Sequence, residues 1–262
     1  MMYPSLKNKV SLITGAGAGI GYTLAEALLK AGGKVVLNDI SPGLARASAK
    51  ALDAKYPGRC LPFAGDAGSV AVIDTMLAFT LEEFGTLDFA VANAGLTKFG
   101  DFFDFTPEDF QKVLHVNLQG SFFLTQRAAQ IMRKHQRGGR VLLMSSVTGI
   151  QCFPDLSAYS MTKAALQMMA RNLVLALAPY KITINAVAPG ATLTARTREE
   201  EPDYAGTWSI LTPMGRVGTP ADVTNTCLFL LSDQASHTTG QTLVVDGGWT
   251  AVGRSPKDLE PR

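Results

Sequence analysis

"VSLITGAGAGIG" (residues 10–21) joins an apolar run to a glycine-rich turn and the turn to a segment of helical length. The run "VSLIT" (10–14) does not alternate with polar residues, the pattern of a strand covered on both faces. Glycines at 15, 17, 19 and 21 let backbone N–H groups approach an anion closely. The helix N-terminus behind them adds the positive end of its dipole. In doubly wound folds a dinucleotide pyrophosphate sits at such a strand–turn–helix junction. The spacing does not match GxGxxG, and GxxxxGK[ST] fails because no lysine follows.

Outward from this unit, short apolar runs recur at 34–38, 87–94, 140–145, 182–187 and 242–246, with a weaker one at 59–65. Segments of helical length lie between them, among them 20–31, 70–84, 108–134, 158–178 and 220–232. This alternation predicts an α/β chain built as a Rossmann-like, doubly wound parallel sheet of about seven strands, with helices on both faces. No linker divides residues 1–262, so one domain is expected. The stretch 191–217 interrupts the rhythm with two prolines and an acidic cluster, and is expected to be a substrate loop. The polar tail 253–262 is expected at the surface. In 108–134 and 158–178 apolar residues run almost all the way round, which predicts one face on the sheet and the other on a second subunit.

The composition excludes several classes. A formal net charge of +2 with scattered basic residues gives no footprint for nucleic acid or a membrane surface. No run approaches the ~20 apolar residues of a membrane span, and residues 1–10 lack a signal-peptide core. Cys60, Cys152 and Cys227 are far apart, without metal-ligand spacing, which predicts free thiols and a cytoplasmic protein. His115, His135 and His237 form no ligand set with them, so no metal is expected.

Asp39 ends the second apolar run, twenty residues after Gly19. An acidic side chain there accepts hydrogen bonds from ribose hydroxyls and repels a 2′-phosphate. The glycine turn carries no Arg or Lys to bind that phosphate, so NAD is expected over NADP. Further on, "YSMTK" (159–163) puts Tyr159 and Lys163 four residues apart, on one face if the stretch is helical. A phenol titrates near 10, and an adjacent ammonium is expected to lower that value toward neutrality. Taken alone, the same spacing also fits a packed phenol beside a snorkelling amine.

The motifs come in a recognisable order. They are "TGAGAGIG" (14–21), "GDAGS" (65–69), "NAG" (93–95), "VNLQG" (116–120), "SS" (145–146), "YSMTK" (159–163) and "PGATLT" (189–194). In order and spacing they resemble the short-chain dehydrogenase/reductase family over nearly the whole chain. The resemblance implies a general acid or base at Tyr159, its electrostatic partner at Lys163, a substrate-oxygen binder at Ser146 and a proton-relay anchor at Asn117. It implies cofactor contacts from Gly15, Gly17, Ala18, Gly19, Ile20 and Gly21 in the first turn. Asp39 and Ile40 would lie at the ribose, Asp66 and Ala67 at the adenine. Asn93, Ala94 and Gly95 would follow the fourth strand. Pro189, Gly190, Thr192 and Thr194 would run past the nicotinamide, with Tyr159 and Lys163 also at the cofactor. Residue 192, often aliphatic in the family, is Thr here, and its contact would be through backbone.

The implied activity is hydride transfer between NAD(H) and a small alcohol or ketone. Likeness of the turn and of "VVDGGWTAVGR" to sugar- and polyol-oxidising members favours that substrate class. The alternatives are a 3-oxoacyl-carrier reductase, against which Asp39 argues, and a nucleotide-sensing regulator, which would be expected to lose Tyr159 or Lys163. A homotetramer is implied as the assembly. Trp208, Tyr204, Gln151, Phe153 and Asp155 are candidates to meet substrate or pack the loop. Phe102, Phe103 and Phe105 are expected in helix docking or an interface, and "REEE" (198–201) on a solvated face.

Overall fold

The computed structural model describes residues 3–253; of the tail predicted at 253–262, all but Gly253 lies outside them. Seven strands form one parallel sheet: β1 Val10–Ile13, β2 Lys34–Asp39, β3 Cys60–Ala64, β4 Phe89–Ala92, β5 Gly139–Met144, β6 Ile182–Pro189 and β7 Thr242–Val245. Their order is β3-β2-β1-β4-β5-β6-β7. β1 pairs with both β2 and β4 in parallel, so the order reverses there, and a cleft opens at the carboxyl ends of the strands where the crossovers diverge.

The non-alternating runs are buried on both faces. Every residue of β1, β4 and β6 is buried. Neighbours in sequence feed opposite cores: Ile13 and Leu37 pack toward α1 (Gly19–Lys30), α2 (Pro42–Lys55) and α10 (Pro220–Leu231), while Leu12 and Val36 pack toward α3 (Val70–Phe84), α5 (Ser121–His135) and α6 (Ser157–Asn172). β3 lies at the sheet edge, where Pro62 withholds a ladder donor at little cost and one face stays partly open, hence its weak signal.

Helix starts follow local chemistry. Ser41, Ser69, Thr106 and Thr219 each accept a backbone N–H at the start of α2, α3, α4 (Pro107–Leu114) and α10. α2, not named among the expected helices, is read by its small buried face, Ala45, Ser48, Ala49 and Leu52. Two expected helices are not uniform. The span 108–134 is α4, a π-helical turn at His115–Gly120, then α5, so one extra residue is accommodated around Asn117. The span 158–178 is α6, then a short α7 (Val174–Leu177) after a break at Leu173. The stretch 191–217 carries two short helices, α8 (Ala195–Glu200) and α9 (Tyr204–Ser209). The outer faces of these helices keep large apolar residues exposed, Phe122, Met161, Met168 and Leu175 among them.

Candidate active site

A cavity of about 640 Å³ lies at the carboxyl ends of the strands, lined by the glycine turn, Asp39, Asp66, Ser146, Tyr159, Lys163, the end of β6 and the aromatic residues that follow it. Its first half is built from the glycine turn. Gly15 and Gly19 both have positive φ, 60° and 61°, and a Cβ on Gly15 would meet Ala94 Cα at 2.7 Å. Gly17 and Gly21 do not line the cavity. A Cβ at Gly17 would strike Asp39 and Leu44, and one at Gly21 would strike Asn93 and the turn's own backbone, so these glycines allow the turn to pack. The N-terminus of α1 meets the cleft, and its N-cap is Ala18, with no side-chain hydrogen bond. Five other helices are capped by Ser or Thr; here the first N–H groups are left for a ligand.

Asp39 and Ile40 line the next stretch. The Asp39 carboxylate accepts from Gly17 N–H at 3.2 Å and Ser41 N–H at 3.0 Å, which fixes it at the rim. Asp66 and Ala67 lie beyond. Asp66 Oδ1 accepts from Gly68 N–H at 2.9 Å, and its Oδ2 lies 2.8 Å from His115 Nε2. Burial works to raise the Asp66 carboxyl, but the hydrogen bonds from His115 and Gly68 win and hold it below the usual carboxylate range. His115 thus supports Asp66. The sequence considered it only as a metal ligand, and the fold alone brings the two together across 49 positions. Among the described residues no group of three His, Cys, Asp or Glu is arranged to hold a metal ion.

On the other side of the turn, Asn93 donates its side-chain amide to the carbonyls of Thr14 and Gly15, both at 2.9 Å. It locks the loop Asn93–Ala94–Gly95 to the glycine turn, and all three residues line the cavity. Pro189, Gly190, Thr192 and Thr194 close it from the end of β6. Thr194 caps α8 through a reciprocal hydrogen-bond pair with Thr197, and its methyl lies 3.7 Å from where a Gly19 Cβ would stand. The narrow gap between Gly19 and Thr194 is one a side chain at 19 would fill. The uncapped helix end, the close backbone approach and the rim carboxylate together suit a nicotinamide dinucleotide.

Ser146, Tyr159 and Lys163 meet at the middle of the cavity. Ser146 follows β5, while Tyr159 and Lys163 stand one turn apart on α6. Ser145 clamps the two elements by donating to the Lys163 carbonyl at 2.8 Å, and Gln167 reaches Ser145 Oγ at 3.0 Å. Lys163 is 3% exposed; its Nζ donates to the Met144 carbonyl at 2.7 Å and lies 5.3 Å from the centre of the Tyr159 ring. Burial, helped by the Arg196 charge, pushes Lys163 down to about 8.

The expected lowering of Tyr159 by Lys163 is not what this arrangement gives. Burial raises the phenol above its ordinary value, and the hydroxyls of Ser146 and Thr97 and the Arg196 charge only partly oppose it. The ammonium lies by the ring and donates to the Met144 carbonyl, and no hydrogen bond joins it to the phenol oxygen.

Asn117 does not reach the cavity. It is fully buried, accepting from Leu96 N–H at 2.7 Å and donating to the Leu96 carbonyl at 3.0 Å and to Thr162 Oγ1 at 3.1 Å. A Cβ at Gly95 would lie 3.3 Å from Lys163 Nζ and 3.7 Å from Asn117 Oδ1, so Asn117 stands behind the lysine across that glycine.

The far half holds residues the sequence left open or missed. Phe153, Tyr204 and Trp208 line it; Gln151 and Asp155 do not. Thr97, Arg196 and Trp249 are also in the lining, and so is Glu200, from the "REEE" expected on a solvated face; nothing local in the sequence assigns them to a site. In "REEE", Glu201 is not simply solvated: it accepts the Trp208 indole N–H at 2.8 Å. Phe102 and Phe103 are 72% and 91% exposed and lie off the cavity.

Comparison with known proteins agrees with this geometry. The family model described as enoyl-(acyl carrier protein) reductase matches residues 15–250. Versicolorin reductase 1 of Aspergillus parasiticus is 38% identical over 93% of this chain and 97% of its own. 3alpha-hydroxysteroid dehydrogenase of Mediterraneibacter gnavus is 36% identical over 94% and 98%, and L-rhamnose 1-dehydrogenase (NAD(P)(+)) of Azotobacter vinelandii 34% over 93% and 97%. A short-chain type dehydrogenase/reductase from Mycobacterium marinum superposes with a TM-score of 0.90 at 32% identity, covering 95% of this chain and 98% of that one. With its parallel sheet and its Ser–Tyr–Lys cluster at the strand ends, the chain belongs to the short-chain dehydrogenase/reductase family of nicotinamide-dependent oxidoreductases.

Proposed function

We propose that the chain is an NAD-dependent oxidoreductase interconverting a secondary alcohol and its ketone. The observation that carries this reading is the convergence of Ser146, Tyr159 and Lys163 midway along a cavity that begins at an uncapped helix N-terminus. A bound nicotinamide supplies the hydride acceptor or donor. Tyr159 gives its phenolic proton to the carbonyl oxygen in reduction and takes the hydroxyl proton in oxidation. Ser146 donates to the same oxygen and stabilises the charge that develops there. Lys163, near 8, returns the proton toward solvent, with Asn117 holding the Gly95 loop beside it. Gly15, Ala18, Gly19, Ile20, Asn93 and Ala94 hold the dinucleotide's phosphates and near ribose, Asp66 and Ala67 its adenine, and Pro189 to Thr194 its nicotinamide. The test is reduced-nicotinamide absorbance on purified protein, across sugars, polyols, hydroxy acids and secondary alcohols; binding of NADH without turnover of any class would move the chain to a sensor.

NAD is favoured by the fixed carboxylate of Asp39 at the rim. Asp39→Asn keeps the acceptor for Gly17 N–H and removes only the charge. The ratio of kcat/KM with NADPH to that with NADH is expected to rise ~10–100-fold, the size of removing one screened like-charge contact with a 2′-phosphate. An unchanged ratio would show that Asp39 does not set the preference.

The exposed apolar residues on α5, α6 and α7 support a homotetramer paired through these helices. Phe122→Glu with Met168→Glu is expected to reduce the solution mass to a smaller species; an unchanged mass by light scattering would refute this face as the interface. We place the protein in the cytoplasm, supported by its three free thiols. No helix among the described residues is long and apolar enough to cross a membrane. A sugar or polyol substrate is the second reading, supported by the likeness to L-rhamnose 1-dehydrogenase and by Thr97, Thr148 and Glu200 in the lining.

A further inference from the structure

The far half of the cavity has an unusual wall. Tyr204 and Trp208 stand one turn apart on α9, with ring centres 5.5 Å apart and planes 27° off parallel. Phe153, from the segment before α6, also stacks on Trp208, at 5.2 Å and 29°. Trp249, from the segment after β7, meets Trp208 nearly edge-on at 5.7 Å and Phe153 at 6.5 Å. Three separate chain segments thus bring four aromatic rings to one place. An aromatic cluster whose only task is to fill a core is buried, yet all four rings line the cavity and none is fully buried. The ring faces they offer are flat and apolar; the Trp208 indole N–H is already held by Glu201, and the Tyr204 hydroxyl accepts from the Thr192 backbone.

Arg196 is the second feature. It lines the same half, and its ion-pair partner, Glu200, is 3.7 Å away with both side chains more than half exposed. That contact is long and solvent-screened, so it leaves the guanidinium able to take a better anion. Its positive charge is felt at Tyr159 and Lys163, which places it near the reacting centre.

We propose that this half of the cavity receives a flat aromatic hydroxy-ketone, its ring laid against the Phe153–Trp208–Tyr204–Trp249 wall and an acidic ring substituent held by Arg196. The carbonyl then reaches Ser146 and Tyr159 at the middle of the cavity. This rests on the oxidoreductase reading and narrows its substrate class. A polyol, whose hydroxyls each need a partner, finds mostly ring carbon on this wall; a conjugated ring gains offset and edge contacts along the stack. The chemistry is the reduction of an aryl ketone by NADH: the carbonyl carbon gains hydride, the oxygen gains the Tyr159 proton, and the products are the benzylic alcohol and NAD.

The experiment has two readouts, turnover and binding. Turnover with NADH is compared for 6-hydroxy-1-tetralone, 1-tetralone, cyclohexanone and L-rhamnose, the sugar in the oxidative direction with NAD. Binding is followed by quenching of tryptophan fluorescence with 6-hydroxy-1-tetralone. The hydroxytetralone is expected to have the highest kcat/KM, with saturable quenching. Trp208→Ala should lower the tetralone-to-cyclohexanone ratio of kcat/KM at least tenfold, mostly through KM, and Phe153→Leu should do the same more weakly if Trp208→Ala disturbs α9. Arg196→Gln should remove the advantage of the hydroxytetralone over the plain tetralone. Preference for the sugar, or aromatic variants that leave the ratio unchanged, would overturn the proposal while the oxidoreductase reading stands. Saturable quenching that the variants weaken, without turnover of any ketone, would keep the ring site and sink the oxidoreductase reading.

Discussion

Tyr159→Phe is expected to lower kcat about 10²–10⁴-fold, the range a positioned acid or base contributes. The variant keeps the ring, and with it the packing against Lys163 and the volume at the middle of the cavity, so NADH affinity should stay within a few-fold. What it removes is the one proton donor that stands beside the Ser146 hydroxyl. The residual rate would come from positioning and from Ser146 alone. The pH profile separates this from a structural effect. Burial holds the phenol above its ordinary value, so its acid form persists through neutral pH. Ketone reduction should therefore hold a plateau through neutral pH and fall only on the alkaline side. Alcohol oxidation, which needs the base form, should climb with pH over the same limb. Both alkaline limbs should vanish in Tyr159→Phe. A variant that turns over at more than a tenth of the wild-type rate, with the limb intact, would remove Tyr159 from the reaction.

The strands were legible because a parallel sheet buries both faces, and β1, β4 and β6 carry that constraint on every residue. The glycine turn was legible because positive φ at Gly15 and Gly19 and a backbone contact at Ala94 admit no side chain. What the sequence could not carry was direction. Spacing puts Tyr159 and Lys163 on one face, but that the ammonium also donates to the Met144 carbonyl depends on where the end of β5 lies. The same holds for His115 on Asp66, and for Trp249, which reaches the aromatic wall only because β7 ends beside β6. Gly17, Gly21 and Asn117 show the opposite case. Each was expected at the ligand, yet each lies behind the cavity and acts through packing or through the Leu96 and Thr162 hydrogen bonds.

Lys163 carries the second large expectation, and its two effects run in opposite directions. Lys163→Met should lower turnover by about two to three orders of magnitude, since the group that returns the Tyr159 proton is gone. The same change should stabilise the fold. Burial pushes the amine from 10.5 down to about 8, so keeping it charged at pH 7 costs about 3 kcal/mol. Methionine fills a similar volume without charge but forfeits the bond to the Met144 carbonyl, worth roughly 1–2 kcal/mol. The net gain is about 1–2 kcal/mol, or roughly 2–8 °C in Tm for a chain of this size. The pH dependence identifies the source. Between about 8 and 10.5 the unfolded lysine still holds its proton while the folded one has lost it, so wild-type stability rises with pH across that window. The variant has no such term, and its advantage should be full below pH 8 and shrink toward pH 10.5. A variant less stable than wild type at pH 7, or an advantage that ignores pH, would mean that the buried ammonium is held by the fold at no cost and that the site is not strained around its own proton carrier.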